Sequence, residues 1–209
     1  MGRKVIDSKR RSPKRAGARE TVSVIFEATA RILQKEGRAA LNTNRIAELA
    51  GVSIGALYGY FPNKDAILLA MARQELDLVR DRVAHALTEA NGELDPIRRV
   101  IRALIAGYGT RSRSRRILME TLFAFGGSDE MARPVNEIAN LLIDQGSRVL
   151  PADVTLPSKI GMFVLTRAVD SVIRAATYED AEFLSSSAFE DELTRMVTGY
   201  LRERRFAVN

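Results

Sequence analysis

The stretch "TNRIAELAGVSIGALYGYF", residues 43–61, constrains the fold of this chain more than any other. Ala47 is followed by Gly51 at +4, Val52 at +5 and Leu57 at +10. A small residue lets a second helix cross closely, and a glycine supplies the positive φ of a sharp turn between helices. Ile46, Leu49, Val52 and Leu57 are apolar where two such helices face one another. This is the pattern of a helix-turn-helix. Thr43 and Ser53 stand as N-caps of the two helices. Gly51 stops the first. Phe61 stops the second, because a residue before proline is pushed out of the helical region.

The second helix carries Gly55 and Gly59, and each glycine costs a helix interior about 0.8–1.0 kcal/mol relative to alanine. An ordinary helical hairpin gives no reason to keep its outer face so small and so aromatic. Ser53, Gly55, Ala56, Gly59 and Tyr60 leave a low surface. A helix entering a DNA major groove, about 12 Å wide, needs such a surface for its backbone to approach the bases. Tyrosine hydroxyls donate to phosphate oxygens, and Lys64 adds a charge-assisted contact. Backbone N–H groups near Thr43 offer a further phosphate site. Phe61 is expected in the core, closing this small domain against the first helix.

Helical periodicity governs the rest. No β-type alternation is long enough for a sheet, and no repeat shows. The expectation is an all-α chain of about nine helices, with an N-terminal three-helix DNA-binding domain and a larger C-terminal helical domain. Val22, Ile25, Phe26, Thr29, Ile32 and Leu33 form the apolar face of helix one, which ends at Lys35 and Gly37. Later helices are expected over 64–89, 96–109, 114–125, from Ser128 or Pro134 to before Pro151, over 157–178 and over 186–205.

Charge is unevenly spread. The chain carries +6 overall, yet residues 1–19 alone hold eight Lys and Arg against Asp7. Such a tail on a near-neutral body is either an arm that meets phosphates or a solvated leader. The domains are therefore expected as a basic arm over 1–19, the helix-turn-helix over 20–66 and a helical domain over 67–209. There are no cysteines, so disulfides and thiolate metal sites are excluded. The longest apolar run, residues 66–72, is too short to cross a bilayer. The basic N-terminus lacks the apolar stretch of a secretory signal, so a cytoplasmic protein without membrane partners is expected. His85 is the sole histidine and reads as a surface residue. No phosphate-binding glycine loop or nucleophile elbow is present, so no enzyme, cofactor or metal is expected.

Residues 20–68 resemble the DNA-binding domain of TetR/AcrR-family transcriptional regulators. The resemblance rests on Ile46-Ala47, Ala50-Gly51-Val52-Ser53, Gly55, Leu57-Tyr58, Tyr60-Phe61 and Lys64, with "VIFEATARILQKEG" matching helix one. It implies that Thr43 caps helix two at a phosphate, that Ser53, Ile54, Gly55 and Tyr58 lie at the groove, and that Tyr60 and Lys64 contact the backbone. Ile54 and Gly59 depart from the polar, basic or bulky side chains that relatives often carry there. Base reading is then sparse, with Asn44, Arg45, Tyr60 or DNA shape contributing more. The alternatives are a non-specific nucleic-acid-binding protein and a small-molecule-binding protein without operator specificity.

The remainder resembles the family in architecture, which implies a small-molecule effector and a homodimer on double-stranded DNA, and from it we expect a repressor released by an apolar ligand. Ile160, Phe163, Val164, Ala168, Ser171, Val172 and Ala175 form a stripe on the penultimate helix. Phe189, Leu193, Met196, Val197, Tyr200 and Leu201 form one on the last. Together they suit a two-fold four-helix interface, although each singly suits core packing. Tyr108, Met119, Phe123, Phe125, Met162 and Phe163 are candidates for a cavity wall against the same alternative. Arg111, Arg113, Arg115 and Arg116 suit the DNA-facing end of the helical domain or, as the preferred reading, a solvated turn. Arg167, Asp170 and Arg174 share one helix face, where they line an effector pocket or a dimer seam or, as the preferred reading, form an ion-pair ladder.

Overall fold

A computed structural model gives the structure of residues 13–88, 95–108, 113–125, 127–150, 154–179 and 182–203. Among these described residues the protein has nine α-helices and two short 3-10 turns. The helices are α1 (Pro13–Lys35), α2 (Thr43–Ala50), α3 (Ile54–Tyr60), α4 (Lys64–Thr88), α5 (Pro96–Tyr108), α6 (Arg113–Phe125), α7 (Gly127–Val149), α8 (Lys159–Tyr178) and α9 (Ser187–Glu203). The all-α expectation holds. The chain divides into two units between Ile67 and Leu68. Helix α1 starts at Pro13, so residues 13–19 of the expected arm are helical, while residues 1–12 lie outside the described residues.

The first unit is built as its caps dictate. Just past the end of α1, the Gly37 N–H donates to the Ile32 and Leu33 carbonyls, and its φ of 84° turns the chain away from the helix. Gly51 closes α2 in the left-handed region at φ 68°. Ser53 caps α3 by accepting from Ala56 N at 3.1 Å. Phe61 ends α3 in extended backbone, φ −136°. The cap of α2 differs from expectation. It is Asn42, whose side chain accepts from Arg45 N at 2.9 Å, and Thr43 is the first helical residue.

Ile25, Ile32 and Leu33 of α1, Ile46 and Ala47 of α2 and Leu57 of α3 are buried together with Leu41 and Ile67. Full burial of one such aliphatic side chain contributes about 1.5–3 kcal/mol. Thr29 shares this interior by donating its hydroxyl to the Ile25 carbonyl at 2.8 Å. Phe61 packs its ring on Phe26 at 5.8 Å, closing the unit against α1 as expected. Leu49 does not join them. It is 47% exposed, because α2 has room to bury only the face carrying Ile46 and Ala47.

In the second unit α5 packs on α8 and α9, α7 packs on α6 and α8, and α8 packs on α9. Helices α4 and α5 approach closely at Gly107, where a Cβ would come within 2.8 Å of Val79 Cγ2. Helix α7 runs through Pro134 and starts at Gly127, ahead of either predicted start. The arginine cluster is not the expected solvated turn throughout. Arg115 lies in α6, is 9% exposed, and donates from Nε to Glu75 Oε2 of α4 at 3.0 Å. Arg111 lies outside the described residues. Arg98 and Arg102 of α5 meet Glu190 of α9 at 3.1 Å and 2.8 Å, and Arg98 also meets Asp191 at 2.6 Å. His85 is exposed. Among the described residues no helix is long and apolar enough to cross a membrane.

Candidate nucleic-acid interface

Helix α3 buries one side chain. Leu57 is fully buried, whereas Ser53, Ile54, Gly55, Ala56, Tyr58, Gly59 and Tyr60 are all exposed. Neither Gly55 nor Gly59 has a positive φ, and a Cβ built on either meets nothing within 4 Å. The unit's own packing thus gives no reason for these two glycines, in contrast to Gly107.

Around that face, Tyr58 Oη and Thr43 Oγ1 lie 3.1 Å apart, which ties the outer edge of α3 to the first turn of α2. While that bond is kept, the hydroxyl that accepts it still has its own O–H to donate to a phosphate oxygen. Asn44 and Arg45 are exposed on α2. Arg45 Nη2 donates to Glu36 Oε1 at 2.6 Å, and both side chains are more than one-third exposed. An ion pair that wet contributes little and yields readily to a phosphate. Lys64 is turned inward. Its Nζ donates to the Leu41 carbonyl at 3.1 Å, beside an Arg38–Asp65 ion pair at 3.0 Å. These two bonds strap the first turn of α4 to the connection entering α2. Asn42 and Glu36 escaped the sequence reading. Asn42 was findable, since asparagine outranks threonine as a cap.

The second unit holds a cavity of about 80 Å³ whose wall is hydrocarbon from Ile97, Val100, Ile101, Leu104, Val135, Ile138, Leu142, Met162, Leu165 and Val169, among others. Among the described residues of that wall, Asp170 is the only charged one. Of the residues expected to line a pocket, Met162 does so. Met119 is half-buried and not on the wall, and the side chains of Tyr108 and Phe123, like that of Phe125, lie outside the described residues. Phe163 points outward, 59% exposed, under the Arg167 guanidinium at 5.1 Å. Arg167 also donates to Asn136 at 2.8 Å, and Arg174 meets Asp170 at 2.9 Å, so the ladder is half formed.

The α8 stripe is exposed at Ile160 (78%), Phe163, Val164 and Val172, and Met196 of α9 is exposed as well. Leu193 is not, because it faces the interior of its own unit. Phe189 is half-buried against Phe183 at 5.4 Å, and Tyr200 donates to the Gly161 carbonyl at 3.3 Å.

A capped α2, a left-handed Gly51 and an α3 that turns nearly its whole surface outward define a helix-turn-helix DNA-binding domain. Residues 25–71 match the family described as bacterial regulatory proteins, tetR family. Residues 95–201 match the tetracyclin repressor-like C-terminal domain. The chain belongs to the tetR family of bacterial transcriptional regulators. It is similar to the probable HTH-type transcriptional regulator ArpR of Pseudomonas putida, 41% identical over 80 residues, which cover 38% of this chain and 37% of ArpR. It is 38% identical over 110 residues to the HTH-type transcriptional regulator BetI 1 of Chromohalobacter salexigens, covering 53% of this chain and 52% of that one. The chain thus spans about half or less of these curated relatives. Among solved structures, the repressor AlkX of Dietzia sp. has the same fold at a TM-score of 0.64 and 16% identity, over 86% of this chain and 97% of that one.

Proposed function

We propose that this protein binds a palindromic operator as a homodimer and is a repressor released by a small apolar molecule. The observation that carries the reading is the outer face of α3, which keeps two glycines that the packing of its own unit does not need. In this reading Ser53, Ile54, Gly55, Ala56 and Gly59 lie against base edges. Thr43, Tyr58 and Tyr60 hold phosphates. Asn44 and Arg45 reach the flank, Arg45 by leaving Glu36. Lys64 supports the first turn of α2 from behind. One helix of seven residues touches few bases, and a second copy on a two-fold site supplies the missing specificity.

The exposed stripe of Ile160, Phe163, Val164, Val172 and Met196 supports the two-fold contact, since apolar side chains bared together mark an interaction surface. The 80 Å³ cavity supports the ligand. Leu87, on its wall, is carried by α4, the helix whose first residue is Lys64. A ligand that widens the cavity displaces α4, and the strap at Lys64 passes that displacement to α2. The two reading heads then lose the separation of roughly 34–36 Å, or its multiple, that successive major grooves require. Its site of action is the cytoplasm, where operator DNA lies. Selection of bound sequences from a random DNA pool tests the reading. A palindrome with half-sites one turn apart is the expected result. Recovery of unrelated sequences, all bound with the same salt dependence, would replace it with non-specific binding.

A further inference from the structure

The cavity of the second unit differs from an ordinary ligand site in what its wall leaves out. Small-molecule pockets pair an apolar wall with a few placed polar groups that fix the ligand's orientation. Here Ile97, Ile101 and Leu104 of α5, Val135 and Ile138 of α7 and Leu165 of α8 border a void of about 80 Å³ whose surface is almost wholly hydrocarbon. Thr166 and Asp170 therefore meet the void through carbon rather than oxygen. The Thr166 hydroxyl is spent on the Met162 carbonyl at 2.8 Å, and the Asp170 carboxylate is held by Arg174 at 2.9 Å. The helical backbone behind these side chains spends its carbonyls on its own ladder.

A hydroxyl taken from water into such surroundings loses its hydrogen bonds and gains none, and a charge loses far more. Hydrocarbon gives up no hydrogen bond there, and its departure from water is the favourable step. An apolar cavity of this kind stays dry, and one of ~150 Å³ lined by Leu, Ile and Phe takes benzene or xenon. We infer that the cavity takes a hydrocarbon without any hydrogen-bonding group, such as an alkane, an alkene or a bare arene, and that it turns away alcohols, amines and carboxylates of the same shape. At about 80 Å³ it is smaller than the benzene-binding example, so a single atom such as xenon enters most easily and a ring must widen it. That widening is the displacement the release mechanism needs. The inference rests on the reading of this cavity as the ligand site, and names what that site admits.

The test uses the full chain at pH 7 with isotope-labelled isoleucine and methionine methyl groups, titrated by NMR with xenon, toluene, phenol and benzoate. Toluene and phenol share one shape and differ by a methyl against a hydroxyl. Xenon and toluene are expected to move the Ile101 and Met162 methyl signals. Phenol is expected to bind at least about tenfold more weakly than toluene, because its hydroxyl finds no partner, and benzoate is expected to move neither signal. Phenol or benzoate moving the same methyls with an affinity within tenfold of toluene's overturns the hydrocarbon assignment and leaves the cavity standing as the ligand site. If toluene moves neither methyl, both readings fall, and xenon then tells whether the void is closed or only too rigid to widen.

Discussion

Lys64→Met separates two uses of one ammonium group. The resemblance to the family puts Lys64 on a DNA phosphate, whereas its Nζ donates inward to the Leu41 carbonyl at 3.1 Å. Methionine keeps the length of the side chain and removes the donor. A hydrogen bond to a charged group contributes about 1.5–3 kcal/mol. Lys64 is half-buried, so the lower end applies, and about 1.4 kcal/mol is a tenfold shift in an equilibrium. The DNA-binding unit is expected to lose about that much stability, read as faster amide exchange at Asn42–Arg45 and weaker operator binding. The salt dependence is expected to stay unchanged. Each phosphate contact adds about 0.9 to the slope of log K against log salt, so two lost contacts in a dimer remove about 1.8. Anisotropy titrations on a selected operator across about 50–200 mM salt resolve that difference. A slope reduced by this amount, with stability intact, would refute the strap and return Lys64 to the phosphate.

Gly55→Ala is expected to stabilise the first unit by up to about 1 kcal/mol, because α3 gains propensity and the new Cβ meets open space. Gly55→Leu is expected to leave the fold intact and abolish operator binding, and a Gly55→Leu protein that still binds contradicts the account of the outer face. Deleting residues 2–12, which carry five of the Lys and Arg ahead of α1, is expected to flatten the salt dependence, and an unchanged slope shows that they make no phosphate contact. The Arg102 hydrogen bond to Glu190, aided by Arg98, holds the Glu190 carboxyl below its ordinary pKa. The stability from this depressed group is present above the unfolded-state value and lost as pH falls through the folded-state one. Glu190→Gln should therefore lower the melting temperature at neutral pH, with the gap to the parent closing in acid. A gap that persists there means the pair stabilises by packing rather than by charge.

What was legible in the sequence is what neighbours along the chain decide. Gly51, Ser53 and Phe61-Pro62 set their turns, caps and stops by local geometry, and each stands where its chemistry requires. Asn42 and Thr43 are adjacent capping residues; the stronger capping preference of asparagine pointed to Asn42, and its side chain is the one that accepts from Arg45 N. Periodicity names a helix's apolar positions but not the neighbour that covers them. Leu49 and Phe163 are apolar and uncovered for that reason. The Arg115–Glu75 pair spans forty residues of sequence, and no local rule links its ends. Asp170 read as a pocket or seam residue or as a rung in an ion-pair ladder, and the choice depends on α5 and α7 closing over it.

The shallow seat of α3 has an evolutionary consequence. With Leu57 the one side chain that helix buries, outward residues such as Gly55, Ala56 and Gly59 can change at little expense to folding. Duplicated copies of such a gene can wander from one target site to another by substitutions at the rim, while the scaffold beneath stays still. Recognition and foldedness are selected on separate positions, so a new binding preference need not wait for a compensating repair.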